Sequence, residues 1–450
     1  MDSSLNDLKE VAATTVPPLA SQLNQPDSPN QPVLIVWEHG GQLGHIARLV
    51  PVAQALRARG YPVLVATPNA AAVRPYFESA GVMMVSMPQA AKPPSAGPSL
   101  LCPADIWLQC GFANPAGAQA CMVQWLALFY QFKPCAVLVD ASPMAQYAAA
   151  LAGLHVVVLG TGFELPPSGP GLSFAPWMDD IQNAIADSEE RLAVAVAALG
   201  KLLNISPNDD WSNGSSSLLN SAQQALCTWP ELDHFERALP EPAYIGPIWH
   251  ALPNTLPTAA SVAWPDKPGP KVLCYLRLVD KRHDFLWQAL RKHQANVVVV
   301  SPAGQSWACD AARGWGITVH MQTVEISVLL PTCDAVISHG GMGLTSMALH
   351  AGKPLMLLPT QLEQALLAYQ LLRRALVIST LRHQHQAQVQ ARVDQLLHDA
   401  QLKQRAVKFA TRYAWFRPHM AVDKLVNILV GHAKDTGHTF DETTAATMSN

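Results

Sequence analysis

Short, almost wholly apolar runs recur along the chain, and each leads into a segment whose apolar positions return every three or four residues. Val33-Leu34-Ile35-Val36-Trp37 is the first such run, and the pattern after it predicts a helix over 46–59, apolar at 46, 49, 50, 52, 53 and 56 and closed by Gly60. A strand at 63–67, a helix near 70–80 and a strand at 82–87 continue the alternation. Cys135 to Asp140 and 155–159 read as further strands, separated by a helix over 142–151. The same rhythm restarts at Lys271, with strands at 296–301 and 317–321 and helices between them. Strands alternating with helices indicate parallel, doubly wound sheets, and the break between two such series indicates two domains.

The boundaries follow from composition. Residues 1–31 read as a flexible lead-in and 32–248 as a first Rossmann-like domain. Prolines at 253, 257, 265, 268 and 270 mark 249–270 as a linker. A second Rossmann-like domain occupies 271–412, 413–432 reads as a final helix, which in this fold class crosses back to the first domain, and 433–450 reads as a flexible tail. The expected fold class is α/β, two doubly wound domains facing each other across a cleft. Residues 88–120, rich in Pro, Ala and Gly, read as the least regular part of the first half, with a helix over 121–132 after them.

The net charge of −3 and the charged fraction of 14% show no single-sign block. No basic stripe with interleaved aromatics appears, so nucleic acid is not an expected partner. The eight cysteines form no Cys-x-x-Cys pair and read as buried thiols in a reducing compartment. No apolar run reaches the roughly 18–20 residues of a membrane span, so no integral membrane segment is expected. The N-terminus lacks the basic start and apolar core of a signal peptide, and a cytoplasmic location is expected.

Chemistry concentrates at two glycine-rich turns. The strand before Ser338 runs into His339-Gly340-Gly341-Met342-Gly343-Leu344-Thr345, and a helix closed by Gly352 follows. A strand, a glycine turn and a helix start make an anion site, because the free N–H groups there carry about half a positive charge. The stretch is neither a Walker loop nor Gly-x-Gly-x-x-Gly. The other turn, Glu38 to His45, offers two histidines, His39 and His45, either of which suits proton abstraction at neutral pH. Asp140 ends a strand; it reads as a partner for a histidine or as a cap for the helix after it. Phe163 and Glu164 lie in a loop at the same sheet edge.

His339 to Thr345, then Ala351-Gly352-Lys353-Pro354, the strand Leu355-Met356-Leu357-Leu358, and Pro359 to Glu363-Gln364 resemble the donor signature of GT-B nucleotide-sugar glycosyltransferases. These are the macrolide, plant secondary-metabolite and sterol enzymes, and the order and spacing hold over 26 residues. The resemblance implies an inverting hexosyl transfer from a UDP- or dTDP-linked sugar to a hydroxyl of a small, apolar acceptor. It implies His45 as general base and Asp140 as the group that orients it. His339, Gly340, Gly341, Gly343 and Thr345 would then bind the donor diphosphate, and Glu363 and Gln364 the sugar hydroxyls. Phe112, Trp125 and Phe163 would contact the acceptor. No Asp-x-Asp occurs, so no metal and no cofactor beyond the nucleotide sugar is expected.

The chain departs from the family in three places. His45 is followed by Ile46-Ala47-Arg48 where the family continues His-x-x-Pro. Leu276-Arg277-Leu278 stands where a phosphate-touching Gly-Ser is usual, with Arg277 and Arg282 as candidate substitutes. Met347 replaces a glutamate that holds the donor ribose. A GT-B nucleotide-sugar epimerase and a non-catalytic nucleotide-sugar-binding protein are the rival readings.

Overall fold

The structure, a computed structural model, describes residues 31–40, 43–89, 100–169, 171–204, 215, 218, 220–237, 243–249, 264–380 and 386–431. The expected tail at 433–450, residues 1–30 of the lead-in and 250–263 of the linker lie outside the described residues.

Two parallel sheets form the frame. The first comprises β1 (Val33–Trp37), β2 (Val63–Ala66), β3 (Met83–Val85), β4 (Ala136–Asp140), β5 (Val156–Gly160), β6 (Gln223–Leu226) and β7 (Ala243–Tyr244), in the order β3-β2-β1-β4-β5-β6-β7. The second comprises β8 (Lys271–Tyr275), β9 (Asn296–Val300), β10 (Thr318–His320), β11 (Ala335–Ser338), β12 (Leu355–Leu357) and β13 (Ile378–Ser379), in the order β10-β9-β8-β11-β12-β13. Helices cover both faces of each sheet, which is why β1, β4, β5 and β9 are buried along their whole length and read as unbroken apolar runs.

Both strand orders reverse at one point, between β1 and β4 and between β8 and β11. Connections leave such a pair toward opposite faces, opening a crevice beyond the carboxyl ends of the strands. Register puts Trp37 opposite Asp140 in one sheet and Tyr275 opposite Ser338 in the other. The loops that follow therefore carry His39, Gly40 and Ala141 in one crevice, and Arg277, His339 and Gly340 in the other.

Of the region expected to be irregular, the described residues 100–120 are largely helical. A helix at Pro103–Trp107, a wider turn at Leu108–Phe112 and a helix at Pro115–Phe132 occupy it. Pro103 and Pro115 stand at first helical positions, where the missing N–H costs nothing. The Asp105 carboxylate accepts from the Leu101 and Cys102 amides, and Asn114 Oδ1 accepts from Gly117 N–H. Gly111, at φ 112°, breaks the run between the two helices.

The last helix, Pro418–Val430, returns to the first sheet and packs against the Leu43–Ala58 helix. Arg59 donates to Asn427 and Asp423 on its exposed side. Before it, Trp229 of the first half is surrounded by His350, Phe409, Tyr413 and Phe416, with ring centroids between 4.4 and 5.7 Å away. The Phe416 ring also seats on Gly246, whose φ is +86° and where a Cβ would stand 2.4 Å from the ring. Replacing Gly246 by Ala adds both a left-handed backbone penalty and a steric clash, so urea unfolding should report a loss of about 2–4 kcal/mol.

Candidate active site

At the first crevice the backbone is shaped around one imidazole. Gly40, at φ +86°, lies so close that a Cβ there would be 2.5 Å from His45 Nε2. Trp37 stacks on the His45 ring at 5.1 Å and 18°, and its indole N–H donates to the His39 carbonyl at 2.8 Å. Ala141 adopts φ 47°, a strained conformation for a residue with a Cβ, and accepts from His39 N–H at 3.0 Å. His45 Nδ1 sits 3.0 Å from Asp140 Oδ2, with Asp140 wholly buried and the His45 side chain 13% exposed. Of the two candidate histidines, the structure joins His45 to Asp140; His39 is 45% exposed and lies 3.7 Å from Glu38. Asp140 does not cap the helix after it: Ser142 is the N-cap, and the Asp140 carboxylate is taken up by His45 and Arg48.

A third group, which sequence reasoning passed over, completes the cluster. Arg48 donates from Nε to Asp140 Oδ2 at 2.8 Å and from Nη2 to Asp140 Oδ1 at 2.5 Å. Nη2 also lies 3.3 Å from Glu164 Oε1 and 2.8 Å from His45 Nδ1. Its signal in the sequence was a charge one helical turn after His45, amid the apolar positions that turn inward. Glu164 does not face outward toward an acceptor: Thr161 N–H and Oγ1–H donate to its Oε2 at 2.9 and 3.0 Å. Burial by itself would raise the Asp140 carboxyl, but the Arg48 guanidinium and His45 overcome it and hold the carboxyl down at about 2. Burial opposes ionisation of Glu164 as well, and Arg48 again prevails, lowering it.

At the second crevice the helix Met342–His350 begins with Gly341 at its N-cap. A Cβ on Gly341 or Gly343 would meet nothing within 4 Å, so the helix start is open. His339 departs from its expected role. Its Nδ1–H donates to the Leu358 carbonyl at 2.8 Å, and its Nε2 accepts from Arg277 N–H at 2.8 Å. A neutral imidazole has one N–H, so none remains for a phosphate. Burial lowers the His339 pKa and favours that neutral form. Thr345 is also corrected: it is fully buried and its hydroxyl has no hydrogen-bond partner among the described residues, so it cannot reach a ligand. Gln364 turns back on its own loop, accepting from Thr360 N–H and Oγ1–H at 3.0 and 3.2 Å. Met347 packs against the core.

Residues from the two sheets meet across the cleft. Glu363 Oε1 lies 3.2 Å from Nε2 of His234, a residue of the first half. Burial would lower His234, but Glu363 outweighs it and the pKa is raised. Thr228 Oγ1 contacts Met342 Sδ at 3.4 Å, and Arg374 donates to the Glu231 and Asp233 carbonyls. Phe163 packs on Phe174 at 4.8 Å and near His234 at 6.0 Å, half-buried at the cleft. Phe112 and Trp125 do not reach it. They are 1% and 0% exposed, packed with Trp107, Tyr147 and Phe129 in the core under the sheet, so the acceptor assignment fails for both. Among the described residues no group of three or more His, Cys, Asp or Glu is placed to hold a metal ion, and no helix is long and apolar enough to cross a membrane.

Glu38, beside this cluster, yields a pH test. Burial pushes its carboxyl from the ordinary 4.5 up to about 8, with the Met144 N–H pulling the other way, and its Oε2 has no hydrogen-bond partner among the described residues. A raised folded-state pKa means stability that is fully present below 4.5 and lost as pH rises toward about 8. Glu38→Gln should therefore gain on the wild type across that window by an amount on the order of a few kcal/mol. Urea unfolding of both proteins at pH 5, 6.5 and 8 measures it; parallel curves would contradict the assignment.

Residues 289–428 match the model of the Erythromycin biosynthesis protein CIII-like C-terminal domain. No curated protein sequence matches the chain. Among solved structures, the chain is similar to the calicheamicin glycosyltransferase CalG4, at 17% identity and a TM-score of 0.61 over 90% of this chain and 99% of that one. It is also similar to the glycosyltransferase VinC in complex with dTDP, at 18% identity and a TM-score of 0.59 over 89% and 99%. The spinosyn rhamnosyltransferase SpnG complexed with thymidine diphosphate gives 18% identity and a TM-score of 0.54 over 88% and 100%. The chain thus has the GT-B fold seen in these glycosyltransferases, with its residues 289–428 similar to the Erythromycin biosynthesis protein CIII-like C-terminal domain.

Proposed function

We propose that the protein is an inverting glycosyltransferase that moves a sugar from a UDP- or dTDP-linked donor to a hydroxyl of a small, apolar acceptor. The observation that carries this reading is the His45–Asp140 pair at the reversal point of the first sheet, facing a second sheet that bears an open, glycine-capped helix start at its own reversal point. The dTDP bound to VinC and SpnG supports a pyrimidine nucleotide donor.

An alcohol, with a pKa near about 16, is a weak nucleophile at neutral pH, and an imidazole that accepts its proton during attack lowers the barrier. His45 Nε2 takes that proton. Asp140 holds the ring through Nδ1–H and stabilises the imidazolium as it forms. The acceptor oxygen bonds to the anomeric carbon on the face opposite the leaving nucleoside diphosphate, which inverts the configuration. Charge growing on the diphosphate meets the N–H groups at the start of the Met342–His350 helix. His339 acts on this site indirectly, by anchoring the Arg277 backbone between the strand ends β8 and β11. Glu363, 26% exposed at the cleft, accepts from sugar hydroxyls, while His234 orients it. The eight cysteines, all free, fit a reducing, cytoplasmic compartment.

The rival reading, a nucleotide-sugar-binding protein without turnover, keeps the open helix start as the donor site and gives His45 and Asp140 no chemical role. Thermal unfolding with UDP, dTDP and GDP, followed by transfer assays with the conjugate that binds, separates the two. A ligand at 100 times its dissociation constant should stabilise by about 2.7 kcal/mol. His45→Ala should retain that shift and lose at least ~100-fold in transfer. A wild type that binds donor yet transfers to no acceptor, or a fully active His45→Ala, would refute the proposed role of His45.

A further inference from the structure

We infer that Glu164 is a positioning residue for His45, acting through Arg48 to keep the imidazole in the tautomer that can accept a proton. The inference rests on the glycosyltransferase reading for its catalytic consequence, and on geometry alone for the tautomer.

Arg48 Nη2 carries two hydrogens and has three neighbours: Asp140 Oδ1 at 2.5 Å, His45 Nδ1 at 2.8 Å and Glu164 Oε1 at 3.3 Å. A hydrogen given to His45 Nδ1 forces the ring proton onto Nε2. The cleft would then receive an N–H and no lone pair, and the ring could not act as base. A hydrogen given to Glu164 leaves Nδ1 protonated, donating to Asp140 Oδ2 at 3.0 Å, with the Nε2 lone pair directed at the cleft. The choice between these arrangements falls to Glu164.

The carboxylate is built for that choice. Thr161 saturates Oε2 with two donors, which fixes Oε1 toward the guanidinium. Its side chain is 19% exposed, so competition from water is restricted. Glu164 also restores a charge. Arg48 cancels the negative charge that Asp140 alone would offer a forming imidazolium, and Glu164 returns the trio to one net negative charge. Arg48 occupies the position where the family pattern has proline, and Glu164 balances the cation that it sets beside the dyad.

The test uses the full chain labelled with 15N-histidine. Imidazole nitrogens with and without a proton resonate far apart, and the His45 pair is assigned by its loss in His45→Asn. The wild type should show the proton on Nδ1, and Glu164→Met should move it toward Nε2. Transfer by Glu164→Met should fall at least ~10-fold in kcat, below the ~10,000-fold that a fully wrong tautomer costs a base catalyst, with the acceptor KM little changed. Adding Arg48→Met removes the competing donor, so the double variant should recover the Nδ1 proton and most of the lost kcat. Thr161→Val frees Glu164 without removing its charge and should move the tautomer in the same direction, which serves if Glu164→Met does not fold. A proton that stays on Nδ1 in Glu164→Met and Thr161→Val, or a double variant no better than Glu164→Met, would overturn the inference. The resonances report without donor or acceptor, so a failed glycosyltransferase reading and a failed tautomer reading give different results.

Discussion

A carboxylate with no exposed surface is the constraint around which the first half of the molecule is organised. Taking Asp140 out of water costs several kcal/mol unless its charge is met at close range and its lone pairs are filled. Arg48 supplies the charge and two hydrogen bonds, and His45 supplies a third. Those partners lie one turn apart on the Leu43–Ala58 helix, so filling the carboxylate also fixes how that helix is rotated against β1 and β4. The imidazole then needs room, which explains a glycine at 40, and a flat wall, which Trp37 provides.

The second constraint is the joint between the halves. Residues following β5 and β6, among them Phe163, Thr228 and His234, touch residues following β11 and β12, among them Met342, Leu362 and Glu363. All of these lie beyond carboxyl ends of strands, so the contacts turn the two crevices toward each other. Glu231 reinforces the joint from behind, pairing with Arg412 and accepting from the Tyr413 hydroxyl at 2.5 Å. The Trp229 cluster adds apolar burial at the same place. The two halves therefore share a single packed interface, and the helix Pro418–Val430 fastens it by returning to the first sheet.

By itself the amino-acid sequence determined the two-sheet architecture, because strands covered on both faces must be apolar throughout and the helices between them must be apolar on one side. It also determined the glycine-capped helix start, a local feature of strand, turn and helix. What it could not determine was the direction of a side chain. Phe112 and Trp125 have the same composition as a binding surface and lie in the core; Thr345 has the chemistry of a phosphate ligand and turns inward. The stretch that holds Pro103 and Pro115 read as irregular, yet helices start at both prolines, where the missing N–H costs nothing, and Asp105 and Asn114 accept from backbone amides around those starts. The tertiary structure alone brought together Arg48, Asp140 and Glu164, separated by 92 and 116 residues from the arginine. Charges that far apart in the chain can only be paired by the fold, since the force that joins them is the low dielectric of an interior that does not exist until the sheet has formed.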